Sequence, residues 1–317
     1  MRELLILLGF VVLLAPGARA QILTYKKPDP SVPPMGVDLK RTVVYIESEC
    51  KHGEVFVNSK ATGFLVGYPD SRLPNTTFFS YLVTNRHVAE CWDEDNRPMP
   101  IKSAVLQINS KDGTSSQRFA LDTKAWHFPS DDSVDLAATS VTLPDTLDIK
   151  YISVADFATK DFLHANVIAE GSPIILAGCF VQLEGVHRFE PIVRQGILSM
   201  IPDEPVMTTA RKLGTVYLGD VHIFGGNSGS PVMVTDGPLN MSGYHLLGVV
   251  SGYYYETEDF KLEIATIIQG KAQANSGVAM IVPADLVKDL LDSPDFKNGR
   301  DIYFSQPSHA ARPAAQK

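Results

Sequence analysis

From residue 42 to residue 283 the apolar positions come in short runs, each closed off by Gly, Pro, Asn or Asp. The first, Thr42-Val43-Val44-Tyr45-Ile46, is rich in β-branched and aromatic side chains, which suit a pleated, half-buried strand. A first group continues through Val55–Val57, Gly63–Val66, Phe78–Thr84, Ala104–Ile108, Arg118–Leu121 and Leu136–Val141. A second group runs through Pro173–Phe180, Gly196–Met200, Thr215–Leu218, Pro231–Val234, Tyr244–Ser251, Leu262–Ile267 and Val278–Pro283. Many short strands with frequent turn signals predict an all-β fold of barrel or sandwich type, and two such groups predict two barrels, over 38–155 and 156–283.

The pattern changes only at the ends. Leu286, Val287, Leu290 and Leu291 fall on one helical stripe, Asp285 follows Pro283 in the first turn, and Ser293-Pro294 stops the run. This predicts a short C-terminal helix over 284–293 that packs against the second barrel and carries no chemistry. Residues 305–317 have little to bury and are expected to form a mobile tail. Residues 21–37 contain Pro28, Pro30, Pro33 and Pro34 among polar residues, which predicts an extended N-terminal arm. Ahead of it, Arg2, the apolar run Leu4–Ala15 and the Ala18-Arg19-Ala20 ending have the layout of a secretory signal peptide over 1–20. That run is shorter than the roughly 20 apolar residues of a membrane span. The expectation is therefore an exported chain, secreted or periplasmic, with no stable membrane insertion once the leader is removed.

Charge narrows the partners. Loss of Arg2, Arg19 and Glu3 with the leader takes 28 basic and 36 acidic side chains to 26 and 35, a net charge of −9. Such a surface repels phosphate backbones, and no Lys/Arg cluster offsets it, so no nucleic-acid partner is expected. The three cysteines, Cys50, Cys91 and Cys179, are too few for a disulfide scaffold and lack the paired spacing of a structural zinc site. A Cys50–Cys91 bridge is one of three possible pairings. Cys179, in an apolar run, reads as a small core residue. Two glycosylation-type sequons, at Asn75 and Asn240, read as chance occurrences.

The chemistry is concentrated in Gly226-Asn227-Ser228-Gly229-Ser230-Pro231, where glycines around a serine can expose a nucleophilic oxygen and backbone N–H groups at one turn. Upstream, the run Tyr81–Thr84 leads into Asn85-Arg86-His87, and Val134-Asp135-Leu136-Ala137 lies between the two. A hydroxyl is a poor nucleophile until a base removes its proton, and an imidazole with an unperturbed pKa of about 6.5 suits that task. His87 is the candidate base and Ser228 the nucleophile. Asp135 is the candidate carboxylate that orients the ring, ahead of Asp131 and Asp132 in the same segment, because Leu136-Ala137 continues it as a buried strand. The order His, Asp, Ser differs from that of α/β-hydrolases, whose elbow would also need glycine where Ser230 stands.

Together with Gly63–Val66 and Gly248-Val249-Val250-Ser251-Gly252, these segments resemble the chymotrypsin-like serine peptidases, nearest in motif to the bacterial branch that includes the glutamyl endopeptidases. The resemblance implies two six-stranded antiparallel β-barrels and a serine endopeptidase that cleaves protein or peptide substrates through an acyl-enzyme, with no cofactor and no metal. It implies the backbone N–H groups of Gly226 and Ser228 as the oxyanion hole. Gly248–Gly252 would pair with the substrate backbone, making Ser251 and Gly252 substrate-binding. His222, six residues before Ser228, is placed near the primary pocket. Two departures matter. Asn227 replaces the aspartate with which animal trypsin-like enzymes bind a newly cut N-terminus, so activation by that ion pair is not expected. Val250 stands where glutamyl endopeptidases present a specificity histidine, so a glutamate preference is not expected either. The alternative is a catalytically silent domain of the same fold that binds peptides or a partner protein.

Overall fold

The computed structural model describes residues 35–306 apart from 75–76, 94, 183–184, 209, 236–242 and 264–266. The expected signal peptide, most of the expected arm, the sequons at Asn75 and Asn240 and the tail beyond residue 306 lie outside these residues. The chain opens with α1 (Met35–Thr42), then β1 (Val43–His52), β2 (Val55–Tyr68), β3 (Phe79–Thr84), α2 (Arg86–Glu90), β4 (Ile101–Asn109), β5 (Ser116–Ala120), β6 (Ala137–Ser140) and β7 (Ile152–Ser153). After α3 (Lys160–Ala165) come β8 (Pro173–Gly178), β9 (Ile192–Met200), β10 (Val206–Met207), β11 (Leu213–Gly214), β12 (Tyr217–Asp220), β13 (Pro231–Thr235), β14 (Tyr244–Glu263), β15 (Ile267–Pro283), α4 (Ala284–Leu291) and α5 (Pro294–Ser305).

The second half forms the expected closed six-stranded barrel, in the order β12-β15-β14-β13-β8-β9. The first half, the counterpart of the other expected barrel, is not closed along its whole rim. It is an open seven-stranded sheet, β5-β4-β1-β2-β3-β6 with β7 paired parallel to β2, and β5 and β6 do not pair. The segment between them turns instead of pairing: Asp131 Oδ1 accepts the Ser133 N–H at 2.9 Å, and only His127 and Ala138 exchange backbone hydrogen bonds with each other. That closes the flank of β6 without extending a ladder.

Three cores follow from period-2 alternation. On β1, Val44 and Ile46 enter the first core beside Leu65, Leu82 and Leu106, whereas Val43 and Tyr45 face the seam between the halves. Phe64, Val66, Tyr81 and Val83 join that seam core, which takes Cys179, Met233, Leu246 and Val282 from the other half. Because both faces are buried, these strands read as continuous apolar runs rather than as alternating ones. The barrel interior holds Leu176, Leu198, Tyr217, Val232, Leu247 and Ile281.

The expected C-terminal helix is present as α4. Its Val287, Leu290 and Leu291 pack into the seam core rather than on the second barrel alone. Ser293-Pro294 does not end the helical region, since Pro294 sits at the first position of α5, where its missing N–H costs nothing. α5 lies on the first sheet: Phe296 meets Tyr81 with ring centroids 4.9 Å apart, and Tyr303 meets Phe79 at 5.3 Å. Arg300, 5% exposed, donates to Tyr81 Oη at 3.0 Å and Leu291 O at 2.9 Å. Among the described residues no helix is long and apolar enough to cross a membrane.

Candidate active site

β3 ends in buried Thr84, and the chain turns at Asn85 into the single helical turn of α2, so His87 lies in a helix rather than at the end of a strand. The first N–H groups of a helix have no partner within it. Asn85, at the N-cap, does not supply one; its side chain instead donates to Asp135 O at 2.9 Å. Asp135 provides the missing acceptor. Its Oδ1 takes the His87 backbone N–H at 3.0 Å and its Oδ2 lies 2.7 Å from His87 Nδ1. Two oxygens of one carboxylate thus fix backbone and ring of one residue. The Asp135 side chain is 1% exposed and that of His87 26%, so the carboxylate is shielded while the imidazole reaches the surface. Asp131 and Asp132 are engaged elsewhere. The Ser133 backbone N–H, with Lys212 nearby, holds the Asp131 carboxyl below its ordinary range, and Asp132 pairs with Lys212.

Ser228 arrives from the other half. Phe224–Asn227 is a turn closed by Asn227 N–H to Phe224 O at 3.0 Å, with φ of +95° at its third residue, Gly226, the value a type II turn demands. Asn227, fully buried, fastens the turn from within: its amide donates to Cys179 O at 2.6 Å and its Oδ1 accepts the Phe224 N–H at 2.8 Å. A neutral amide with both ends bonded here does what an aspartate would need a buried cation to do. Gly229 follows at φ +84°, so close to the first sheet that a β-carbon would lie 1.9 Å from Thr62 O and 2.5 Å from Thr84 Oγ1. Thr62 N–H donates to Ser228 O at 2.9 Å, and Thr84 Oγ1 donates to Thr62 O at 2.7 Å. Ser228, half-buried, is therefore one residue from atoms of Thr84, which precedes His87 by three.

The remaining candidates divide. Ser251 and Gly252 lie on β14, and Val250 binds the Ser228 segment at two points, accepting Gly229 N–H and donating to Ser230 O, each at 2.9 Å. Ser251 is buried and Gly252 half-buried. His222 is exposed; its Cε1 is 3.3 Å from where a β-carbon on Gly277 would sit, and its ring stacks near Phe224 at 6.4 Å. That places it beside Phe224 of the Phe224–Asn227 turn and Gly277 of β15. Three contributors were not evident in the sequence: Thr62, Asn85, and Trp92, whose ring lies 6.1 Å from that of His87 while its Nε1 donates to Glu90 at 2.8 Å. The only signal for Thr62 and Asn85 is a polar residue at the edge of an apolar run, Thr62 just before Gly63–Val66 and Asn85 just after Tyr81–Thr84. Cys50 and Cys91 form a disulfide that ties β1 to the end of α2, and Cys179 is buried and free of a disulfide. No cluster of His, Cys, Asp or Glu among the described residues is arranged to hold a metal ion.

No family model and no curated protein matches the sequence. Solved structures do. Two structures of the HtrA-type protease AlgW with a tripeptide, one of them an alanine variant, match with a TM-score of 0.50 and 15% identity, over 83% of this chain and 62% of theirs. Deg5 matches with a TM-score of 0.45 and 18% identity, over 80% of this chain and 89% of its own. The chain thus spans less than two thirds of the AlgW length, and at this identity the likeness speaks to architecture: the fold is that of the chymotrypsin-like serine proteases, HtrA type among them.

Proposed function

We propose that this chain is an exported serine endopeptidase. The observation that carries the reading is the two-point hold of Asp135 on His87, together with a serine in a glycine-containing turn whose carbonyl is bonded to Thr62 of β2, the strand that pairs with the β3 leading into His87. In the reaction, Ser228 Oγ attacks the scissile carbonyl carbon as its proton passes to His87 Nε2, and the carbonyl electron pair moves onto oxygen. Asp135 accepts the Nδ1–H bond and stabilises the imidazolium. The oxyanion sits against the N–H groups of Gly226 and Ser228, each worth about 3 to 4 kcal/mol in sites of this kind. Collapse breaks the C–N bond, and the amine leaves with the proton from Nε2. Water then repeats the sequence on the acyl-enzyme, releasing the acid and Ser228.

Substrate would lie along Ser251 and Gly252 of β14, with His222 on the rim of the primary pocket; the tripeptide bound by AlgW supports peptides as the substrate class. The motifs sit nearest the glutamyl-endopeptidase branch, but with Val250 in place of its histidine we assign no glutamate preference. Export is supported by the leader-like residues 1–20 and by the Cys50–Cys91 disulfide, a bond that persists in oxidising compartments. The test is covalent labelling by a peptidyl phosphonate. Wild-type protein should be labelled and should cleave a proteome-derived peptide mixture, and Ser228→Ala should do neither. A folded wild type that resists the phosphonate would instead identify a binding domain.

A further inference from the structure

The nucleophile segment is fastened to the first sheet at two points, and one residue makes both. Thr62 of β2 is fully buried, and each of its polar atoms that faces the seam is bonded. Its hydroxyl donates to Gly226 O at 2.6 Å and accepts the Cys179 N–H at 2.9 Å. Its backbone N–H donates to Ser228 O at 2.9 Å, and its carbonyl accepts Thr84 Oγ1 at 2.7 Å. Gly226 O and Ser228 O flank the nucleophile on either side. Thr84 lies three residues ahead of His87 on the continuous path from β3 into α2. Cys179 closes the circuit, since its carbonyl accepts the Asn227 amide at 2.6 Å.

We infer that the Thr62 hydroxyl is a positioning group that sets the register between Ser228 and His87, and with it the aim of the Ser228 N–H. The inference rests on the serine-hydrolase reading above. The Asn227 bonds close the turn from within and the backbone bond fixes Ser228 O, but neither ties the Gly226 end of the turn to the first sheet. The hydroxyl supplies that tie by holding Gly226 O against β2. A few tenths of an ångström matter here, because nucleophile and base cooperate only within hydrogen-bond reach. Valine has nearly the shape of threonine but offers neither donor nor acceptor, so Thr62→Val frees Gly226 O and leaves the Cys179 N–H unmatched. Serine keeps both bonds.

The experiment measures phosphonate labelling and peptide turnover in wild type, Thr62→Val, Thr62→Ser and Thr62→Ala, with thermal unfolding alongside. Thr62→Val should lose about a hundredfold in kcat and in labelling rate, the scale of one misdirected oxyanion donor, with KM within about twofold. Thr62→Ser should stay within about threefold of wild type. Should Thr62→Val fail to fold, Thr62→Ala, which leaves room for a water between Cys179 N and Gly226 O, should label at a rate between the serine variant and one-hundredth of wild type. Equal labelling of wild type and the folded valine or alanine variant overturns this inference alone, as does a change in KM without one in kcat. A wild type that does not label overturns the hydrolase reading and this inference with it.

Discussion

Asp135 illustrates how much a buried carboxylate does by having two oxygens. One caps the first turn of a helix too short to hold itself and the other lies against the ring of a residue in that same turn, so the rotamer of His87 and the direction of α2 are set together. This dictates the outcome of Asp135→Asn. The amide oxygen can still accept the backbone N–H, so the fold should survive with a nearly unchanged unfolding midpoint. The amide nitrogen then faces Nδ1, which forces the imidazole into the tautomer that presents a hydrogen rather than a lone pair to Ser228. Turnover should fall by about 10⁴, as in triads of this type, without a matching loss of peptide binding. Steady-state kinetics and a competitive peptide titration separate the two. A loss confined to binding would mean that Asp135 holds the loop and not the tautomer.

Among the elements, α2 is the one whose stability is borrowed. Five residues cannot form an independent helix, and this one is held by the Arg86–Glu90 ion pair at 2.9 Å, by Trp92 on Glu90, and by the disulfide at its C-cap, Cys91, which adopts φ of 50°. Replacing Cys50 and Cys91 with alanine should cost about 2 to 4 kcal/mol, and reductant should lower the unfolding temperature of wild type while leaving the double variant unchanged. Activity of the double variant should fall as well, because the helix that loosens carries His87. The elements also show what a sequence discloses. The strands were legible because each imposes a period of two or a fully apolar run, and His87, Asp135 and Ser228 stood in motifs whose chemistry is local. α5 was not: Phe296, Tyr303 and Phe304 stand at helical spacing, but the charged Arg300 interrupts the stripe and Ser293-Pro294 reads as a stop, and the rings are held by Phe79 and Tyr81, more than 200 residues earlier. α1 and the open edge of the first sheet were hidden for the same reason, and so was Thr62, whose hydroxyl is defined by a partner 164 residues away.

At the scale of the molecule the candidate catalytic groups come from two halves, so whatever fixes those halves together fixes the proposed site. The seam core does so from within, and α4 and α5 do so from outside, running from the closed barrel onto the first sheet. The outer attachment has an electrostatic part. Arg72, after β2, forms ion pairs with Asp70 and with Asp301 of α5, each at 2.7 Å, and its guanidinium lies 4.1 Å from the Phe304 ring. The hydrogen bond from Arg72 brings the Asp70 carboxyl down from 3.8 to about 2. A carboxyl that ionises more readily in the folded state than in the unfolded one stabilises the fold wherever it is charged in both states, and loses that contribution once it is protonated in both. The contribution of Asp70 is therefore present above about pH 4 and disappears as the pH falls towards 2. Asp70→Asn should unfold at a lower temperature than wild type at pH 7, and the two curves should converge between pH 4 and 2, because at the acid end wild type has become equivalent to the amide. A difference that persists unchanged at pH 2 would show that Asp70 acts by packing or by neutral hydrogen bonds. One that disappears already at pH 5 would place the titrating group elsewhere on the α5 face.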